Sequence, residues 1–433
     1  MSSPLLAALA APPGPPLAQA LIDLGAHPVG DPAEARAICA ALAGLEATTP
    51  CGAPVARDDD TVATTALVML ASLFQRVEDP VAEELLAREG VPLLVAAYDR
   101  RLDEAEAHRD DLLFLLKVFA MVPSQPGLAR ILAAARAGAW AEDTLWERVL
   151  GAFAAPGHPQ QAALLAALRD PLPEGFIAVA LLDCANEARR SGQDVAHPFD
   201  SPPGVALLAS YLADPDPARW SFAHSAAAGL AFLRRPERAE LLARALAHPA
   251  PRVQLEAAWA AARAGEPTEV ARAGIERLRQ GCLDPRHQAI ARAFLGELGR
   301  EGEVPDAAWE PDLLAQSEMC LWLSHPHEFG RPPDAVRITD TRTLAWPPTN
   351  DERQVWLIEY RYEGADPEVE GKPVVGVGMV GSITFSLYGE GVPERPAEEL
   401  YALHCCWELQ IERDPRAPAE RSVEAGRALL GWA

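Results

Sequence analysis

Lysine is nearly missing from this chain: in 433 residues it occurs only at Lys117 and Lys372. Positive charge of any kind is scarce, with 38 Lys and Arg against 62 Asp and Glu and a formal net charge of −24. Nucleic-acid binding draws its affinity from Lys and Arg neutralising phosphates, and anionic membrane surfaces attract basic clusters, so this balance speaks against both. It leaves room for a basic partner, although an acidic surface more often serves solubility alone.

Other absences narrow the field further. No run of about 18 apolar residues occurs, so no membrane-spanning helix is expected. The seven cysteines (Cys39, Cys51, Cys184, Cys282, Cys320, Cys405 and Cys406) are odd in number and contain no C-x-x-C pair. In a chain of this length that pattern suits reduced thiols buried as small hydrophobes. The opening "MSSPLLAALAAPPGPP" imitates a secretory leader in its apolar run, but the first basic side chain is Arg36, so no basic segment precedes that run. The expected location is cytoplasmic. No phosphate-cradling G-x-x-x-x-G-K-[ST], no G-x-S-x-G, no H-E-x-x-H and no calcium-loop pattern is present.

What is present is alanine, leucine and proline. Hydrophobic residues make up 49%, enough to bury a substantial core, while 40 prolines and 30 glycines break the chain frequently. Small apolar residues suit closely packed helices, and proline suits their first turns. Helical patterning fills the first three quarters. "TVATTALVMLASLFQRV" (61–77) reads as a helix with Asp58–Asp60 at its N-terminus, where carboxylates cap and complement the dipole. "DPVAEELLAREG" (79–90) opens with Asp-Pro and is expected to stop at Gly90. "DDLLFLLKVFAMV" (110–122) is apolar nearly all round, as a helix sandwiched between neighbours is.

Three segments then recur at a constant offset of 34 residues: "PARWSFAHSAAAGLA" from Pro217, "PRVQLEAAWAAARAG" from Pro251 and "PRHQAIARAFLGELG" from Pro285. Ala223, Ala257 and Ala291 coincide, as do Gly265 and Gly299. Second helical stretches, 237–249 and 268–285, lie between them. A fixed period of helix, turn and helix predicts stacked repeats. These units resemble HEAT repeats of the short bacterial kind: a proline-bearing turn, an arginine just after it, then an alanine-rich helix with a glycine stop. The period also suits TPR repeats, but their Trp, Gly, Tyr and late Pro placements are missing. The likeness is specific over 214–299 and weaker upstream, and the stretch "RRSGQDVAHPFDSPPG" (189–204) reads as an insertion into the array. The resemblance implies an α-solenoid over 1–323 whose usual work is to hold protein partners.

Beyond about residue 324 the period changes. "VRITDTRTLAW" (336–346) alternates, with Val336, Ile338, Leu344 and Trp346 expected on one face. "VWLIEYRY" (355–362) places Trp356, Ile358, Tyr360 and Tyr362 on one face. "VVGVGMVGSITFSLYG" (374–389) continues the strands, and "AEELYALHCCWELQIE" (397–412) and "AERSVEAGRALLGW" (419–432) are helical. The expected fold is therefore mainly α, a HEAT-like solenoid followed by a small α+β domain of antiparallel sheet and helices at 324–433. Between the two, a helix from about Pro311 to Leu323 carries apolar residues on more than one face. A covering sheet domain with Trp322 at the contact would account for that.

Four features of the sequence invite a chemical reading. "GVGMVG" (376–381) is a literal G-x-G-x-x-G, but a dinucleotide fingerprint needs a helix after the glycines and "SITFSLYG" alternates like a strand. The glycines are expected within strand or at a bulge, and no cofactor is implied. In "HCCW" (404–407), His404 and Trp407 fall on one helix stripe with Leu400, Leu403 and Ile411; adjacent residues diverge by about 100°, so His404 and Cys405 are not placed as base and nucleophile. "HPHE" offers His325 and His327, which with His404 and Cys405 are weak candidates for a metal, since their spacing is no zinc signature. Trp140, Trp146, Trp220 and Trp259 are expected in helices, in the core or lining a groove as partner anchors. The function these readings favour is a non-enzymatic scaffold or adaptor for a protein partner. The alternative is a ligand-binding, metal-binding or enzymatic module in the C-terminal domain.

Overall fold

A computed structural model describes residues 3–48, 54–57, 60–265, 267–346, 351–363, 374–387, 392, 394–413 and 422–432. The fold is mainly α, with a four-stranded antiparallel sheet near the C-terminus. The chain divides into two compact units, Met1–Leu241 and Leu242–Ala433. The boundary drawn from sequence after residue 323 falls inside the second unit.

In the first unit, helices begin where sequence punctuation places them. Asp79, Ser124 and Ser201 accept from the N–H groups of Ala82, Gly127 and Gly204, each with proline in the first turn that follows. Such caps satisfy donors that the helix itself leaves unpaired. The Arg109–Met121 helix is buried on most of its circumference, through Leu112, Leu113, Leu115, Leu116, Val118, Phe119 and Ala120.

Two expectations need correction here. The stretch after Asp60 does not open a helix: Asp60–Thr64 is a strand (β2) paired antiparallel with Val55–Arg57 (β1). The helix begins at Ala66, and its cap is Thr65, whose hydroxyl accepts from the Val68 N–H and donates to Asp111. The β-branched run Thr61, Val62, Thr64, Thr65 favours extended chain up to that cap. Asp58 and Asp59 lie outside the described residues. Gly90, read as a stop, instead closes a π-helical turn, Leu86–Gly90, that leads directly into the Val91–Arg101 helix. A Cβ there would lie 2.6 Å from the Phe74 ring, so this glycine serves close approach rather than termination.

The segments spaced by 34 residues are helical in each case: Trp220–Gly229 in the first unit, Pro251–Ala264 and Gln288–Glu297 in the second. Gly265 ends its helix in the left-handed region, the conformation a glycine stop supplies. Thr268–Gly281 lies close against Pro251–Ala264, where a Cβ on Gly274 would meet the Ala258 carbonyl oxygen at 2.5 Å.

The sheet runs β3 (Ala335–Trp346), β4 (Asp351–Arg361), β5 (Val375–Val380), β6 (Thr384–Leu387), each antiparallel to the next. Helices cover both faces. Pro311–Leu323 supplies Ala315, Met319 and Leu323 to a core with Ile358, Tyr360, Tyr362 and Val380. Ala397–Arg413 supplies Leu400, Tyr401 and Cys405 to a core with Leu344, Trp346, Val355, Leu357 and Met379. Pro311 sits in the first turn of its helix, as expected. Trp322 reaches the sheet: its indole N–H donates to the Ser386 hydroxyl at 3.1 Å and its ring meets Phe385 edge-on.

Strand β4 presents Trp356, Ile358 and Tyr360 to one face, and Tyr362 just beyond it joins them, as the alternation predicts. Strand β3 does not keep one face. Its register shifts between Ile338 and Asp340, so Val336 and Ile338 pack with the Pro311–Leu323 side while Leu344 and Trp346 join the opposite core. One extra residue, Thr339, reverses the sense of every position after it.

Candidate functional site

The glycine motif is resolved by its position in the sheet. Gly376 and Gly378 lie within β5, and Gly381 lies in the turn before β6. No helix opens there to receive a pyrophosphate. The first two glycines exist because side chains occupy their Cβ positions: the Tyr360 ring comes within 2.3 Å at Gly376, and Met319 within 2.4 Å at Gly378.

His325 and His327 sit exposed in the turns after the Pro311–Leu323 helix, their rings 5.1 Å apart. Phe329 anchors this stretch by stacking on Tyr362. His404 is fully buried on the Ala397–Arg413 helix, with Nε2 3.4 Å from a Glu408 carboxylate oxygen one turn on. Arg353 donates to Glu408 at 2.6 Å and to the Ser382 hydroxyl at 2.8 Å. Burial alone would raise the Glu408 carboxyl, but His404, Ser382 and Arg353 outweigh it and hold it below the usual carboxylate range. Cys405 points into the neighbouring core, where burial pushes its thiol up to about 12. Burial also raises the thiols of Cys39, Cys184, Cys282 and Cys320, which suits packing rather than nucleophilic chemistry. Cys51 lies outside the described residues. Among the described residues, no group of three or more His, Cys, Asp or Glu side chains is placed to hold a metal ion.

An apolar concavity lies in the first unit. A groove of about 700 Å³ runs between the Val91–Arg101 helix and the Gln125–Arg136 helix, closed at one end by Trp140. Its floor is alanine: Ala129, Ala133 and Ala137 recur every four residues and fall on one helix face. Tyr98 adds a buried wall, and its hydroxyl is pushed up to about 12, chiefly by burial. Across the rim, Arg130 grips Asp99 with two parallel contacts, Nε to Oδ1 at 3.0 Å and Nη2 to Oδ2 at 2.5 Å, and so ties the two helices together.

Trp140 was expected in a helix and is not. It lies in the turn that follows, half-exposed, with φ of 50°. A bulky residue in the left-handed region is uncommon and strained by about 1–3 kcal/mol. Gly138, two residues earlier, also has a positive φ and lets the chain reverse. The indole is then held over the groove end by its N–H, which donates to Glu106 at 3.2 Å. Trp146 and Trp259 are fully buried core residues, and Trp220 is half-buried at its helix start. Asp99, Glu106 and Arg130 were not anticipated; the alanine spacing at 129, 133 and 137 was the only local signal of the groove.

Comparison with known proteins adds no likeness: no protein-family model, no curated protein and no solved structure matches the chain. Among the described residues no helix is long and apolar enough to cross a membrane.

Proposed function

We propose that the protein is a non-enzymatic adaptor that holds a protein partner through the Trp140 groove. The observation that carries this reading is the strained, tethered Trp140 at the end of an alanine-floored channel. Side chains the size of alanine let a partner helix lie close, and a fixed indole offers a large apolar contact with little rotamer freedom to lose. Helix spacing in the sequence, which resembles HEAT repeats, supports the same class of work. The occupant that fits is an amphipathic helix with an apolar face and basic flanks. Its flanks would meet a chain whose net charge is −24.

Ala133 is an exposed floor residue, so Ala133→Glu blocks the channel without touching the core. Full-length protein and this variant, matched by circular dichroism, are used to select from a displayed library of helical peptides. The expected outcome is enrichment of apolar sequences with basic flanks by the native chain, and at least about tenfold weaker binding of those peptides by the variant. Peptides that bind both proteins equally would place recognition elsewhere and sink the proposal.

A further inference from the structure

The stretch 189–204, read from sequence as an insertion, is an ordered loop that walls a second cavity. Its own Phe199 is fully buried, and Gly204 has no room for a Cβ, which would lie 2.5 Å from the Phe199 backbone. Ser201 caps the helix that follows, and Asp200 accepts from the backbone N–H of Arg234 at 3.1 Å. The cavity, about 390 Å³, is lined by Arg169, Arg189 and Arg234, by the loop residues Asp194 to His197 and Asp200, and by Phe232.

Its charge runs against the rest of the molecule. Three guanidiniums meet two carboxylates here, in a chain where acids outnumber bases 62 to 38. Arg189 is engaged by Asp194 at 2.8 Å. Asp200 is engaged by the Arg234 backbone. Among the described residues, no carboxylate pairs with the side chain of Arg169 or Arg234, and both are exposed at the cavity. Two unpaired, forked cations on one polar concavity suit an oxyanion.

His197 adds a more specific element. It is 6% exposed and its ring stacks on Phe232. Asn186 donates through Nδ2 to the Ser225 carbonyl, which turns its Oδ1 towards the imidazole Nε2 at 3.1 Å. Nε2 therefore carries the proton, and Nδ1 presents a lone pair. Burial, reinforced by Arg189, depresses the imidazole to about 3, so the ring stays neutral. Nδ1 is the one buried side-chain polar atom among the described lining residues that has no hydrogen-bond partner. That atom has under 1 Å² of accessible surface, so the cavity meets the neutral ring and not Nδ1 itself.

We propose that this cavity binds a small phosphorylated molecule, with its phosphate held by the guanidiniums of Arg169 and Arg234. The site is separate from the Trp140 groove and does not depend on it.

Calorimetric titration of the full chain at neutral pH tests this with inorganic phosphate and glycerol 3-phosphate. Saturable binding of both phosphates is expected. The double variant Arg169→Gln/Arg234→Gln, altered only at exposed positions, should keep the native melting temperature and lose at least about tenfold in phosphate affinity. Absence of heat with both phosphates, or undiminished binding by the double variant, would each overturn the proposal. So would a phosphoserine peptide that binds when neither small phosphate does, since that result would make the surface a protein-recognition site.

Discussion

At Gly376 an added methyl would enter the Tyr360 ring at 2.3 Å, and no turn or positive φ is involved. Gly376→Ala is therefore expected to lower stability by roughly 1–3 kcal/mol through overpacking. Because the obstruction is one side chain, Tyr360→Leu should relieve part of it. A double-mutant cycle by urea denaturation should then show coupling between the two sites, and strict additivity would contradict the assignment. Glu408 makes a second prediction. Its folded-state carboxyl is held below the ordinary value, so its stabilisation is present above the usual carboxylate range and is lost as pH falls through the folded-state value. Glu408→Gln should cost roughly 1–3 kcal/mol at pH 7, leaving Arg353 and His404 poorly matched. The gap between native and variant should close on acidification; a gap that widens towards low pH would show the sign to be wrong. The residue scale is also where sequence reading was least complete. Trp140 was visible as a candidate anchor, but not the backbone conformation that aims it, because that depends on Gly138 and on Glu106 from a separate segment.

Among the elements, punctuation was legible and register was not. Pro311 marked its helix start, and the alternation in 355–362 assigned β4 to its correct face, because both are local consequences of covalent structure and period. Thr339 carried no such signal. It has the same β-branched character as Ile338 before it and Thr341 two residues on, so nothing in "VRITDTRTLAW" distinguishes a bulge from continued alternation. Gly90 misled for a related reason: a glycine that ends a helix and a glycine that admits the Phe74 ring look identical in sequence. The strand Asp60–Thr64 was absorbed into a helix because its residues adjoin a strong apolar helical run, and the cap at Thr65 is one threonine among three within five residues. The cavity wall at 189–204 was legible as an interruption, while the arginines it faces, Arg169 and Arg234, come from other parts of the chain.

For the whole molecule, the Pro311–Leu323 helix decides where the chain can be cut. Ala315, Met319 and Leu323 belong to the same core as Ile358, Tyr360 and Tyr362. Ending the chain after Leu323 removes that sheet and exposes these residues on an amphipathic helix with no cover. The 1–323 fragment is expected to bind a hydrophobic dye and to aggregate in light scattering, whereas the full chain does neither. A monomeric 1–323 fragment with an undisturbed second-unit helix set would show that the sheet is an independent appendage. Trp140 carries a different consequence at this scale. Its left-handed backbone is an energetic burden on folding, maintained by the surrounding turn whether or not the groove is filled. Under the proposed function the indole would not have to be ordered at each encounter, so association would draw less entropy from the protein than a free surface tryptophan would. Selection for thermal stability alone would replace it with glycine. That replacement would then trade how firmly the proposed groove holds against how long the fold lasts.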